Sequence, residues 1–207
     1  MISHPINAAQ KTGLFDHIIV STDDKEIADV ANACGAETPF IRPAELADDF
    51  TGTIPVTNHA IQWLQDHGTE VDYVCCIYAT TPLLQPYYLE HAFKQLTNSD
   101  KLFAFSACTF PFPVQRALRI LDNGGNEPMW PEYIGSRSQD LEEAVHDAGQ
   151  FYWGTADAFL KGHSTFSAES MPVVLPRYLV QDIDTQEDWQ YAEYMYEILK
   201  KHDFNIG

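Results

Sequence analysis

Residues 71–96 read VDYVCCIYATTPLLQPYYLEHAFKQL, and this stretch decides the fold class. Val71 to Ala79 is the strongest strand signal in the chain, an apolar run rich in β-branched and aromatic residues. It runs into Thr80-Thr81-Pro82, and a helix follows from about Pro86 to Leu96. The same succession extends in both directions. Upstream, Asp16 to Thr22 (DHIIVST) reads as a buried strand. Thr22 or Asp23 can cap the helix after it, with Glu26 three residues beyond Asp23 as in a capping box. Ile27, Val30, Ala31 and Cys34 share one helical face, and Gly35 stops the helix. Thr38 to Ile41 reads as a short strand, residues 42–53 as a polar loop and Pro55 to His67 as a helix. Downstream, Lys101 to Phe110 is another strand.

Strand alternating with helix predicts a doubly wound, mainly parallel α/β sheet covered on both faces. At 207 residues the chain suits a single domain, 1–207. From Pro111 to Gln150, prolines, glycines and polar residues break the rhythm, which predicts an excursion carrying an arm or an interface. Phe151 to Gly154 returns to the sheet, Ala156 to Lys161 is a short helix and Val173 to Val180 a last extended segment. Thr185 to Lys201 closes the chain as a helix with Trp189, Ala192, Tyr196 and Leu199 on one stripe. At the other end, Ile2 to Gly13 reads as a helix leading into the strand at Asp16. A right-handed βαβ unit wants a strand before such a helix, so the sequence reads as starting inside its first unit.

A hydrophobic fraction of 45% excludes a disordered chain. No apolar run approaches the roughly 20 residues of a membrane span, and Met1 to Pro5 lacks the basic start and apolar middle of a signal peptide. Cys34, Cys75, Cys76 and Cys108 form no C-x-x-C pair and read as buried free thiols. A cytoplasmic protein is expected. The net charge of −18 argues against nucleic acid and anionic membrane as partners. It is also awkward for any enzyme that grips a triphosphate.

Ligands of open α/β sheets bind beyond the C-terminal ends of strands. Three loops qualify here: Ser21 to Asp24, Tyr78 to Leu84, and Asp182-Ile183-Asp184. Two carboxylates two apart on an extended stretch project to one side, repel each other, and suit a hard cation such as Mg²⁺ whose shell substrate phosphates complete. Equally, Asp184 can cap the helix from Thr185 while Asp182 is solvated, and spacing leaves both readings open. Helix capping explains Ser21 to Asp24 fully. Thr80, Thr81 and Pro82 suit a base or ribose, or an ordinary turn. Arg42 suits a phosphate or base, or a surface ion pair. The eight histidines show no metal spacing, and His146 stands alone in the excursion.

Taken together, FDHIIVSTDDKEIADVA (15–31), RPAELADDFTGT (42–53), CCIYATTPLL (75–84), RSQDLEEAVHDAGQFYWG (137–154) and QDIDTQEDW (181–189) resemble the cytidylyltransferases that activate sialic-acid-like sugars. The second-last pair of blocks is similar to the family's pseudaminate branch, which serves flagellin glycosylation in bacteria. The resemblance runs from Ile2 to about Glu193. It implies a nucleotide-diphospho-sugar transferase fold and a homodimer built through the excursion, each arm helping to close the partner's sugar site. The implied reaction joins CMP from CTP to a 2-keto-3-deoxy nonulosonic acid and releases pyrophosphate. By the same resemblance Asp182 and Asp184 hold Mg²⁺ and are catalytic. Arg42, Thr80, Thr81 and Pro82 hold the nucleotide, and Tyr78, Arg137, Gln139, His146 and Tyr152 face the sugar.

Two departures matter. The sialate branch has Gln-Pro-Thr-Ser-Pro-Leu-Arg where this chain has Tyr78 to Leu84, and Phe151 to Gly154 also differs from that branch, which argues against sialic acid itself. The family also opens with a strand and a Gly-rich basic loop of the type A-R-G-G-S-K-R-x-x-x-K-N around the triphosphate. This chain begins downstream of it, so an incomplete nucleotide site and an inactive chain are expected. The competing readings are a sialate-type cytidylyltransferase, a glycosyltransferase using Asp182-Ile183-Asp184 as its metal motif, and a catalytically inactive dimeric homologue.

Overall fold

A computed structural model describes residues 1–201. The principal sheet contains β1 (Tyr73–Ile77), β2 (Phe103–Thr109), β5 (Val145–Thr155) and β6 (Ser170–Leu175), in the order β1-β5-β2-β6. β2 and β6 are parallel, whereas β5 is antiparallel to both β1 and β2. Three of the four strands therefore run one way, as the βα rhythm predicts. The exception has a local cause: β5 enters from the excursion and not through a crossover helix, so nothing forces it parallel.

Helices cover both faces. On one, Leu89, Ala92 and Leu96 of α4 (Pro86–Thr97) and Ala8 of α1 (Ser3–Thr12) pack on Ala104, Phe151, Trp153, Val173 and Leu175. On the other, Ile61 of α3 (Thr53–Asp66) and Ala158 and Phe159 of α5 (Ala156–Leu160) enclose Phe103. Successive residues of a strand point to opposite faces, which is why Phe151 and Trp153 join the first core while Tyr152 joins Phe105 and Ala107. Cys75 and Cys76 separate the same way, and all four cysteines are free thiols. Trp153 donates its indole N–H to the Leu89 carbonyl at 3.1 Å and stacks on Phe15 at 5.0 Å, tying the sheet to the segment after α1. Among the described residues no helix is long and apolar enough to cross a membrane.

Several local expectations shift. In the stretch 16–22 only Ile19 bridges, in parallel, to Glu37. The Val20 N–H donates to the Glu37 carbonyl and the Glu37 N–H to the Ile18 carbonyl, at 2.9 and 2.7 Å. The anticipated strands at 16–22 and 38–41 reduce to this pair, because the far edge of residues 17–21 borders a cavity. The helix α2 (Lys25–Ala33) is capped by Asp24, which accepts from the Glu26 and Ile27 amides at 2.7 and 3.0 Å. Thr22 instead accepts from the Asp24 N–H. Its packed face is Ala28 and Ala31, while Ile27 and Val30 stay exposed; small side chains let this helix approach Ile6 and Ala36 closely. The extended segment expected through Val180 ends at Leu175. Pro176 cannot donate to a ladder, and Arg177–Leu179 form a 3-10 turn.

The excursion closes at Ala144, not Gln150, because β5 begins at Val145. It carries the hairpin β3 (Leu118–Ile120) and β4 (Asn126–Pro128) with three single turns, and leaves Phe112 and Ile120 about four-fifths exposed, 80% and 84%. The closing helix α6 (Gln186–Lys201) buries Ala192 and packs Leu199 on the first core. Tyr196 meets His4 edge-on at 4.8 Å, but Trp189 is exposed.

The β2–β5 ladder breaks between Phe105 and Ala107, opposite Tyr152 and Asp147. Residues 148–151 bulge there, helped by Gly149 at φ 62°. The break is sealed by one hydroxyl: fully buried Ser106 accepts from both the Gln150 and Phe151 amides at 3.1 Å. Ser106→Ala leaves two buried donors unpaired, so equilibrium denaturation is expected to show a loss of roughly 1–3 kcal/mol. A change indistinguishable from zero would remove the hydroxyl from this role.

Candidate active site

Residues 17–21 and β1 flank a cavity of about 680 Å³. At the C-terminal end of β1 it is lined by Tyr78, Ala79 and Thr80, with Ser21, Arg42 and Thr53 opposite. The Arg42 N–H donates to the Thr22 carbonyl at 2.8 Å and its guanidinium Nη2 to the Ser21 carbonyl at 3.1 Å. These bonds fix the side chain yet leave its Nε–H, and the Ser21 Oγ beside it, buried without partners. A stranded guanidinium donor costs roughly 1–3 kcal/mol or more until an acceptor arrives. Among the described residues lining the cavity, Arg42 is the one Lys or Arg. Any anion drawn in is drawn there.

Tyr78 and Tyr152 stand side by side, their ring centroids 5.4 Å apart. The Tyr78 hydroxyl shares a hydrogen bond with Thr53 at 3.1 Å. The Tyr152 hydroxyl donates to Asp147 Oδ2 at 2.5 Å. Burial, then the hydrogen bond to Asp147 and its negative charge, push the Tyr152 phenol far above its ordinary range. It therefore stays protonated at neutral pH, with its one proton donated to Asp147. His146 adjoins them, its Nδ1 within 2.7 Å of the Asp147 carbonyl and its ring edge-on to Phe110. Three of the predicted sugar-facing residues, Tyr78, His146 and Tyr152, thus lie together.

Gln150 joins this cluster to the third loop. Its carbonyl accepts from the Tyr78 N–H at 3.0 Å, and its side-chain Nε2 donates to the Leu179 carbonyl at 2.5 Å. Leu179 is buried and leads directly to Asp182 and Asp184. Both of these are exposed, and neither carboxylate makes a hydrogen bond or ion pair within the described residues. The capping role belongs to Asp188. Its Oδ2 accepts from the Thr185 hydroxyl, the Thr185 amide and the Asp184 amide at 2.7, 2.9 and 3.3 Å, and its Oδ1 from Gln181 at 2.8 Å. The Thr185 bonds hold the Asp188 carboxyl below the usual range. With capping so assigned, Asp182 and Asp184 are two unengaged oxygen-donor groups, a donor set that fits a hard divalent cation. Among the described residues no cluster of three or more His, Cys, Asp or Glu could hold a metal by itself.

Other predicted residues separate from this assembly. Thr81 is buried and donates to the Tyr78 carbonyl at 2.8 Å, shaping the turn that Pro82 continues, while Thr80 faces the cavity. Arg137 forms a bidentate pair with Asp140, at 2.6 and 3.0 Å, out on the arm. Gln139 lies in the same exposed turn. Sequence reasoning passed over Asp147, Gln150 and Asp188. Asp188 had a signal, since Thr185-Gln-Glu-Asp188 has capping-box spacing. Gln150 and Asp147 had none, because their roles arise from a bulge.

The chain's sequence matches the family described as Cytidylyltransferase over residues 1–204. It is 40% identical over 198 residues to a pseudaminic acid cytidylyltransferase of Campylobacter jejuni, covering 96% of this chain and 85% of that protein. It is 29% identical over 206 residues to the CMP-N,N'-diacetyllegionaminic acid synthase of Legionella pneumophila, covering 96% and 85%. The fold is similar to that of a solved CMP:2-keto-3-deoxy-manno-octonic acid synthetase in complex with CTP, at TM-score 0.62 and 14% identity over 97% of this chain and 88% of that one.

The Tyr152 environment sets a pH test. An unfolded tyrosine ionises near pH 10, whereas the folded phenol resists ionisation. The stabilisation is therefore fully present below about pH 10 and is lost as pH rises from there toward the folded value. Denaturant midpoints followed from about pH 8 to 11 are expected to fall less steeply in Tyr152→Phe than in the parent chain. Parallel slopes would contradict the assignment.

Proposed function

The chain belongs to the cytidylyltransferase family, and on that premise we propose that it transfers CMP from CTP to a nonulosonic acid, pseudaminic acid in particular, releasing pyrophosphate. The observation that carries the reading is the junction at Gln150. It gathers the end of β1, the Tyr152–Asp147 pair and the approach to Asp182 at one end of the sheet, where ligands of such folds bind. The anomeric hydroxyl of the sugar attacks the α-phosphorus and pyrophosphate leaves. No covalent protein intermediate is needed, so the work is positioning and charge neutralisation.

Arg42, with its spare Nε–H, and Thr80 receive the nucleotide, while Thr81 and Pro82 shape the loop that presents it. Tyr78, His146 and the Tyr152–Asp147 pair face the sugar. The Tyr152 hydroxyl, its one proton given to Asp147, presents its oxygen to the sugar as an acceptor, and the Tyr78 and Tyr152 rings give an apolar wall suited to a deoxygenated sugar. Asp182 and Asp184 hold Mg²⁺, which supplies charge neutralisation on the phosphates when bound. With pyrophosphate release as the readout, pseudaminic acid is expected to exceed N-acetylneuraminic acid by about tenfold to a hundredfold in kcat/KM, the range one mismatched hydroxyl commands. Asp184→Asn is expected to lower kcat by about a hundredfold or more with unchanged circular dichroism. Equal use of both sugars would overturn the substrate, and a fully active Asp184→Asn the metal site.

The homodimer forms through the arm, 111–144. Its exposed Phe112, Leu118, Ile120, Met129 and Ile134 are an unusual apolar load for a solvated segment. Arg137 and Gln139, remote from the site within one chain, would then act on the partner's sugar. The arm's roots are adjacent, because the Phe110 N–H reaches the Ala144 carbonyl at 3.5 Å. A two-residue hairpin turn can therefore replace it without disturbing β2 or β5. Light scattering is expected to show a dimer for the whole chain and a monomer for the trimmed one; a dimer in both would move the interface elsewhere.

A further inference from the structure

The chain has five arginines. Three sit on the arm: Arg119 and Arg137 are tied to Glu127 and Asp140, and Arg116 donates to the Ser138 hydroxyl at 3.3 Å. Arg42 lines the cavity beside β1. Arg177 differs from all four. It lies two residues beyond Leu175, where β6 ends, and so at the C-terminal end of the parallel pair β2–β6. Its guanidinium Nη1 donates to the Thr109 hydroxyl at 3.1 Å. Among the described residues it enters no ion pair.

Thr109 decides which way that guanidinium is turned. Residues directly opposite on paired strands share a face of the sheet, and so do residues two apart on one strand. Ala107 pairs with Asp147 and packs with Tyr152, with Tyr78 against them. Thr109 therefore projects from the same face as the Tyr78, Tyr152 and Asp147 group. Two strand residues span roughly 7 Å, so the hydroxyl that holds Arg177 stands that far along the face from Ala107, with a small side chain in between. Asp147 does not claim the guanidinium. Its Oδ2 accepts from Tyr152 and its Oδ1 from the Gly149 N–H at 3.0 Å.

A guanidinium carries five N–H donors, and the Thr109 hydroxyl takes one. What is left matches a carboxylate, which accepts two parallel N–H bonds from such a fork. We propose that Arg177 receives the carboxylate of the sugar acid whose ring lies against Tyr78 and Tyr152. This rests on the nonulosonic acid reading above and names, within one chain, the residue that tells the acid from a neutral sugar. It also bears on the reaction. In the ring form of a 2-keto acid the carboxylate and the attacking hydroxyl share the anomeric carbon, so the grip on one orients the other. Arg177 and the Asp182–Asp184 pair stand on one short segment, whose Leu179 carbonyl Gln150 holds. Sugar acid and phosphates are thereby aligned by the same stretch of backbone.

The test is calorimetric titration of pseudaminic acid and of its neutral C1 carboxamide, with Mg²⁺ and CMP present. Arg177 is exposed, and the melting temperature checks that Arg177→Gln and Arg177→Lys remain folded. The parent chain is expected to bind the acid about tenfold to a hundredfold more tightly than the carboxamide, the range of one charged hydrogen-bonded contact. Arg177→Gln is expected to lose that preference through the acid alone, with the carboxamide unchanged, and Arg177→Lys to recover part of it. Equal binding of the two probes by the parent chain, or an undiminished preference for the acid in Arg177→Gln, would overturn the role of Arg177 and leave the sugar reading standing. Binding of neither probe by the parent chain would overturn the sugar reading and this assignment with it.

Discussion

Gln150 is the constraint on which the site depends. Its backbone serves two neighbours, donating to Ser106 and accepting from Tyr78, while its side chain holds the Leu179 carbonyl. The residue is 3% exposed, so every one of these bonds forms where water cannot substitute. Three pieces of chain far apart in sequence are thereby held at one end of one sheet. The bulge that makes this possible also turns Tyr152 back onto Asp147 five residues earlier, a meeting that a regular strand, alternating its faces, would not allow.

Electrostatics then distributes roles among the few available charges. A chain of net charge −18 repels the anionic substrates its family handles, and the cavity offers a single guanidinium against them. On the proposed reading the rest of the neutralisation would come from a cation held by Asp182 and Asp184. They are free for it because Asp188, not Asp184, takes the amides at the mouth of α6. Giving the capping work to Asp188 leaves both carboxylates without a hydrogen-bonding duty inside the chain. The Tyr152–Asp147 pair solves a different problem. The Tyr152 phenol, buried beside Asp147, resists ionisation and so keeps its proton on that hydrogen bond.

The exposed apolar side chains of the arm, Phe112 and Ile120 above all, are groups that a compact domain ordinarily covers, and it is on them that the proposed dimer rests.

The order of elements, the two covered faces and the family itself were legible in the sequence. Alternating apolar runs and caps are local signals, and blocks such as QDIDTQEDW keep their meaning wherever the chain carries them. The extent of α4 and the candidate chemistry at Tyr78 and Asp182 could be read for the same reason. What sequence could not give was anything set by partners distant in the chain. Ile18 to Val20 has strand composition, yet a strand exists only where an edge meets it. Ile27 and Val30 have core composition, yet Ala28 and Ala31 pack because a close neighbour needs small side chains. Gln150 and Asp147 looked like the tail of a loop, since a bulge is specified by the ladder on both sides and not by its own residues. Local propensity is written residue by residue, whereas pairing, burial and the direction in which a carboxylate points are properties of the assembled sheet.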